Sequence, residues 1–217
     1  MRALLDLVVP PACAGCGRAG ALLCPACRDG FRPTAEPSAR FVAADPGVVV
    51  GRALTLGIGT FVYEGALRRA LGRLKYAGAG RVADDLARAA RPAFERLVAI
   101  SGPAMLVPVP IHVERQRQRG YNQAALIARR LAEGSSHPMA DLLARASVTE
   151  RQHRLDRAGR LRNLRSAITL RDGVAAPPVA IVIDDILTSA ATLEACAGAL
   201  LAGGSTEVYG FAIAREV

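Results

Sequence analysis

The sequence predicts an α/β domain built on a mainly parallel sheet flanked by helices, with a small four-cysteine module ahead of it. Three observations carry that prediction. Apolar stretches alternate with helical periods from about residue 54 onward, residues 178–183 form a continuous β-branched run, and four cysteines fall within fifteen residues near the start. The 217 residues are 51% apolar and 22% charged, which suffices for one sizeable core plus a small appended module. Aromatics are only 4% and Trp is absent, so the core must come from Ala, Leu, Val and Ile, and platforms for stacking bases are few. No apolar run approaches the roughly 18 residues of a membrane span. The opening Leu4 to Pro11 is broken by Asp6 and a proline pair, which argues against a secretory signal. The expected location is the cytoplasm, with no membrane insertion.

Residues 1–32 are read as the cysteine module. Cys13, Cys16, Cys24 and Cys27 form C-x2-C-x7-C-x2-C, and a compartment that keeps thiols reduced favours metal ligation over disulfides. Four thiolates leave no open position for water, so the expected role is structural and the expected metal zinc; an iron–sulfur centre is the competing reading. Arg18 and Arg28 sit nearby in sequence to offset the negative charge of the thiolates.

Residues 33–48, with Pro33, Pro37 and Pro46, lack periodicity and read as a linker to a second domain at 49–217. Within that domain a strand is expected at 54–62, a helix at 64–76 with Leu67, Leu71 and Leu74 on one face, and a helix at 82–100 that Pro92 should kink or divide. A strand at 105–110 ends in prolines, and a helix follows at 122–133 with Asn122 as its N-cap. Residues 150–165 show no apolar period. The strand at 178–183, a helix at 192–202 and a strand at 206–214 complete the alternation, with Cys196 read as a small buried apolar residue.

The net charge is +9, and residues 112–171 hold thirteen arginines against five acids, so nearly all the excess lies there. A localised basic stretch points to an anionic partner, a phosphorylated substrate or nucleic acid. Solvated helix faces in an arginine-biased sequence are the plainer alternative. His112, His137 and His153 receive no role; His137 beside Pro138 reads as loop.

The most informative segment joins the last buried strand to its helix. Asp184 and Asp185 stand at the strand's carboxyl end, where open α/β sheets bind ligands, and Thr188, Ser189, Ala190, Ala191 and Thr192 open the helix. Small hydroxyl-bearing residues at a helix N-terminus suit an anion, while carboxylates beside it suit sugar hydroxyls or Mg2+. The pairing fits a phosphorylated ribose. Helix capping with a solvated acid pair is the alternative.

This segment resembles the phosphoribosyl pyrophosphate (PRPP) signature of type I phosphoribosyltransferases. Three further stretches, Leu106 to Pro110 with Arg115 to Ala124, Leu71 to Tyr76, and Arg160 to Arg165, make the whole look like the ComF family. That family pairs a cysteine zinc module with a phosphoribosyltransferase-like domain and is associated with competence for DNA uptake. The resemblance implies a type I phosphoribosyltransferase-like sheet, PRPP with Mg2+, and a phosphoribosyl substrate, with Asp184 and Asp185 at the ribose hydroxyls and residues 188–192 around the 5′-phosphate. It makes Val109, Pro110 and Ile111 the pyrophosphate loop and residues 151–165 a mobile basic loop with Arg151, Arg154 and Arg157 foremost. Single-stranded DNA and DNA-uptake proteins are the further partners it suggests. One departure is Ala190, where the signature has Gly; a positive φ there would strain the turn. An active transferase and a non-catalytic module that holds single-stranded DNA or a partner protein both remain open at this level.

Overall fold

The computed structural model describes residues 10–35, 45–76, 80–145 and 168–217. Its centre is a five-stranded sheet made of β1 (Val48–Val49), β2 (Leu56–Val62), β3 (Met105–Pro108), β6 (Val179–Leu187) and β7 (Glu207–Arg215), in the order β1-β2-β7-β6-β3. Only the short β1 runs antiparallel to its neighbour; β2, β7, β6 and β3 are mutually parallel. A separate antiparallel pair joins β4 (Leu143–Arg145) to β5 (Ile168–Leu170).

Alternation along the strands sorts the core into two layers. Ile181 and Ile183 of β6, with Phe211 and Ile213 of β7, face α2 (Gly65–Arg73), α3 (Gly80–Ser101) and α5 (Gln123–Ala132), where Leu71, Leu86, Phe94 and Ile127 meet them. Ala180 and Val182, with Val208 and Ala212, face α6 (Ala191–Ala202) and its Leu193, Cys196 and Leu200. Cys196 is fully buried there, as its apolar reading expects. The sheet therefore has helices on both faces, the predicted α/β architecture. At Gly210 a Cβ would come within 2.8 Å of Leu193 Cδ1, so glycine lets α6 approach the sheet closely. No helix among the described residues is long and apolar enough to cross a membrane.

The structure departs from the expected elements in several places. Pro92 does not divide its helix, which runs unbroken from Gly80 to Ser101. Pro92 lies on the exposed side, where water can satisfy the carbonyl that loses its partner, while Ala90, Ala93 and Phe94 hold the opposite face in the core. β6 runs four residues past Ile183, through both aspartates, because β7 pairs with it as far as Leu187↔Arg215. Among the elements not expected are β1, α4 (Val113–Arg119), β4 and β5.

The cysteine segment, with the short α1 (Pro25–Asp29), packs on α2. Cys13, Leu23, Cys27 and Phe31 belong to the same core as Leu67 and Leu71. Of residues 33–48, Pro33 and Thr34 lie along β2, with Thr34 Oγ1 donating to Gly59 O, and Val48 forms part of β1; residues 36–44 lie outside the described residues.

Candidate functional site

β3 ends its pairing at Pro108↔Ile183, and Val109 N donates to Ile183 O at 2.9 Å. Beyond that point β6 is paired only on its β7 side, so Asp184 and Asp185 stand at the mouth of a cleft beside the β3 edge. The cleft, of about 200 Å3, is lined by both aspartates, Thr192, the Val109 to His112 loop, Gln123, and four cations: Lys75, Arg115, Arg119 and Arg145. Carboxylates thus share one small recess with a cationic wall.

Asp184 Oδ1 accepts the Asp185 amide at 2.8 Å. Burial pushes the Asp184 carboxyl well above the usual carboxylate range, and the adjacent Asp185 charge raises it further; the Asp185 amide and Arg145 act against the shift. Thr188 and Ser189 are exposed in the turn that follows, and α6 begins at Ala191. Thr192 lines the cleft, whereas the turn at 188–190 and Ala191 do not line it.

Ala190 is the one non-glycine residue among those described with positive φ, at 56°. Its Cβ crowds the neighbouring carbonyl in this conformation, and it offers no side chain to cap α6. Ala190→Gly is therefore expected to stabilise the protein by about 1 kcal/mol and raise its melting temperature by roughly 2–4 °C. A melt by circular dichroism checks it, and an unchanged or lower midpoint would mean that the turn is not strained.

The wall opposite the aspartates is braced by the segment that follows α4. Gly120, at φ 80°, stops α4. The Tyr121 hydroxyl lies 2.7 Å from Leu74 O and 2.6 Å from Tyr76 O, a donor shared between two carbonyls at the end of α2. Asn122 Oδ1 accepts Ala124 N at 3.0 Å, the expected N-cap, and its Nδ2 donates to Val109 O at 2.9 Å. Asn122 thereby ties the Val109, Pro110 and Ile111 loop to the start of α5, and Tyr121 ties the adjoining segment to the end of α2. His112 caps α4, its Nδ1 accepting Glu114 N.

Arg145 escaped the sequence reading because it sits in a three-residue strand with no pattern of its own. Lys75, Arg115 and Arg119 lie in the stretches that carry the family resemblance, which assigns them no role. Arg151, Arg154 and Arg157, with residues 146–167 as a whole, lie outside the described residues. A larger recess of about 590 Å3 lies between α6 and β5, mostly apolar in lining. Its acid, Glu194, is committed to the backbone amides of Arg52, Ala53 and Leu54.

The second cluster is the cysteine set. The sulfurs of Cys13, Cys16, Cys24 and Cys27 lie within 4.8 Å of one another, close enough to hold a metal ion. A tetrahedral zinc with Zn–S bonds of about 2.3 Å sets sulfurs ~3.8 Å apart, and Cys16 Sγ and Cys24 Sγ stand 3.7 Å apart. The donor set fits. Cys13 Sγ accepts the Gly15 and Cys24 amides at 3.3 Å each. Burial by itself would raise this thiol, but the Cys24, Cys16 and Gly15 amides and the Cys24 thiol outweigh it and bring it down to about 6. Cys27 is pushed up to about 12 by burial first and then by its three neighbouring cysteines. Gly15 is required by space, since a Cβ there would lie 2.8 Å from Cys27 Sγ. Arg28 pairs with Asp29 at 2.9 Å, while Arg69 and Arg73 of α2 donate to the carbonyls of Gly15 and Cys13. Those two cations, fifty and more residues away in sequence, were not foreseen.

No family model matches the chain. Individual relatives do. It is 28% identical to competence protein ComFC of Bacillus subtilis over 72% of its own length and 62% of the relative's. It is 31% identical to competence protein F of Haemophilus influenzae over 52% of its length and 51% of the relative's. To DNA utilization protein YhgH of Salmonella typhimurium it is 27% identical over 97% of its length and all of the relative. These likenesses support membership of the ComF family. The chain spans about three fifths of ComFC and about half of competence protein F, but the full length of YhgH.

Proposed function

We propose that the chain binds PRPP or a related 5′-phosphorylated ribose with Mg2+ in the aspartate cleft and acts in DNA uptake or processing. The observation that carries the first half is the single recess in which Asp184, Asp185 and Thr192 face Lys75, Arg115, Arg119 and Arg145. Carboxylates accept from ribose hydroxyls, and the cations match the charge of a diphosphate. The second half rests on the relatives, named for competence and for DNA utilization.

Asp184 and Asp185 supply the hard oxygen donors that Mg2+ takes, and the ion would neutralise diphosphate charge. In a transfer reaction the bond from ribose C1 to the diphosphate oxygen breaks and a bond from C1 to an acceptor nitrogen forms. The sugar passes through an oxocarbenium-like state, so no side-chain nucleophile is needed. The chain's own part is to hold the ribose by its hydroxyls and to stabilise the departing diphosphate through Lys75 and the arginines. The cysteine set, with zinc, serves as a structural support for the segment packed on α2.

Calorimetric titration of PRPP, with and without Mg2+, tests this reading. Mg2+-dependent binding is expected in the natural protein and a loss of tenfold or more in Asp185→Asn. Absence of binding to the natural protein would overturn it. A second reading, a non-catalytic single-stranded-DNA module, is favoured by Arg115 and Arg117, which are exposed on α4 beside the cleft. It expects DNA affinity that falls steeply with salt and flattens in the double alanine variant, indifferent to Asp185→Asn.

A further inference from the structure

Gln123 is the first residue of α5, is only 4% exposed, and lines the aspartate cleft. Its Nε2 is buried and has no hydrogen-bond partner, although two carboxylates line the same recess. A buried amide donor left unmade destabilises a fold, so a sequence indifferent to ligand would place an apolar residue here. The residues on either side do not share this condition. Asn122 is fully engaged as cap and as donor to Val109 O, and Ala124 N is satisfied by Asn122. Gln123 alone in this turn combines a place in the cleft lining with a buried side-chain donor that has no partner.

The position indicates what the donor meets. Asn122 fastens the start of α5 to the Val109 loop, so Gln123 belongs to the wall that also carries Arg115, Arg119 and Lys75. The Nε2 donor of this neutral amide adds to the cationic donors that line the same recess, a set suited to the oxygens of a diphosphate. Its lack of contact with Asp184 or Asp185 agrees with a separate subsite. We infer that Gln123 is a binding residue for the diphosphate half of the ligand, its side-chain amide donating to a diphosphate oxygen. This rests on the proposed PRPP reading and deepens it by dividing the cleft into a carboxylate end for ribose and a donor end for diphosphate.

The experiment uses Gln123→Met, which keeps length and removes the donor, and Gln123→Glu, which replaces the donor with a charged acceptor. Each full-length variant is melted without ligand and titrated with PRPP, inorganic pyrophosphate and ribose 5-phosphate in the presence of Mg2+. The expected result has three parts. Gln123→Met melts at the same temperature as the natural protein or higher; its affinity for PRPP and pyrophosphate falls about tenfold or more; and its affinity for ribose 5-phosphate stays within about twofold. Gln123→Glu loses more affinity for pyrophosphate than Gln123→Met does, through repulsion.

A sharply lower melting temperature in both variants would make Gln123 a structural residue and overturn the inference. So would unchanged PRPP affinity, or equal losses for PRPP and ribose 5-phosphate. If the natural protein binds none of the three probes, the PRPP reading fails and this inference with it. If it binds them and the variants bind equally well, only the role of Gln123 falls.

Discussion

Cys27→Ser is expected to strip the bound metal from the purified protein and lower its melting temperature by about 10 °C or more. Cys27 lies in the same core as Leu23, Phe31, Leu67 and Leu71, so losing its sulfur opens both the metal site and the contact with α2. Some twenty residues around the four cysteines cannot bury enough apolar surface to order themselves, and metal binding stands in for that missing core. Loss of about 4 kcal/mol corresponds to roughly 10 °C in a chain of this size. Because Cys27 holds its proton up to about 12 without metal, the ion must displace that proton, and affinity should rise with pH. Elemental analysis of protein purified without added metal should find one zinc per chain, absent in the variant. Iron with visible absorbance would instead identify an iron–sulfur centre, and an unchanged melting temperature in the variant would remove the structural role.

The parallel sheet was legible because the central β6 and the edge strand β3 are each buried on both faces, which forces the continuous apolar runs at 105–109 and 179–183. The cysteine set was legible because ligand chemistry is fixed by residue type and spacing. α4 escaped because it covers no core. Its seven residues include one apolar side chain, Val113, and that one is exposed, so no period could mark it. The helix is held by end signals instead, the His112 cap and the left-handed Gly120. β4 and β5 escaped because three-residue strands are too short to show alternation. The cationic surroundings of Asp184 and Asp185 carried no sequence signal, since Lys75 and Arg145 come to the same recess only through the tertiary fold. Ala190 was flagged through an expected glycine, and its positive φ is what that expectation required. Gln123 carried no signal at all: an amide at a helix start becomes informative only when the structure leaves its donor without a partner.

Asp184→Asn is expected to make the ligand-free protein more stable at neutral pH while weakening PRPP binding by roughly tenfold to a hundredfold, the worth of a charge-assisted hydrogen bond. The two effects share one cause. Burial and the Asp185 charge raise the Asp184 carboxyl above its unfolded value of 3.8, so the folded state holds a proton that the unfolded state has released. Between 3.8 and the raised value the native protein binds more protons than the unfolded chain, and unfolding free energy therefore decreases as pH rises through that window. The destabilisation is complete above the folded pKa, where Asp184 is ionised in both states. Asparagine keeps the shape and removes the charge, so the variant should lose this downward slope and exceed the natural protein in melting temperature at the upper end of a series from about pH 4 to pH 8. A ligand reverses the balance, because ribose hydroxyls or Mg2+ add to the Asp185 amide as partners of the ionised carboxylate. PRPP affinity of the natural protein should then increase over the same pH window in which its ligand-free stability declines. A variant that melts lower at every pH would assign Asp184 to the scaffold, whereas opposite signs for stability and affinity are the mark of a charge held in place for a ligand.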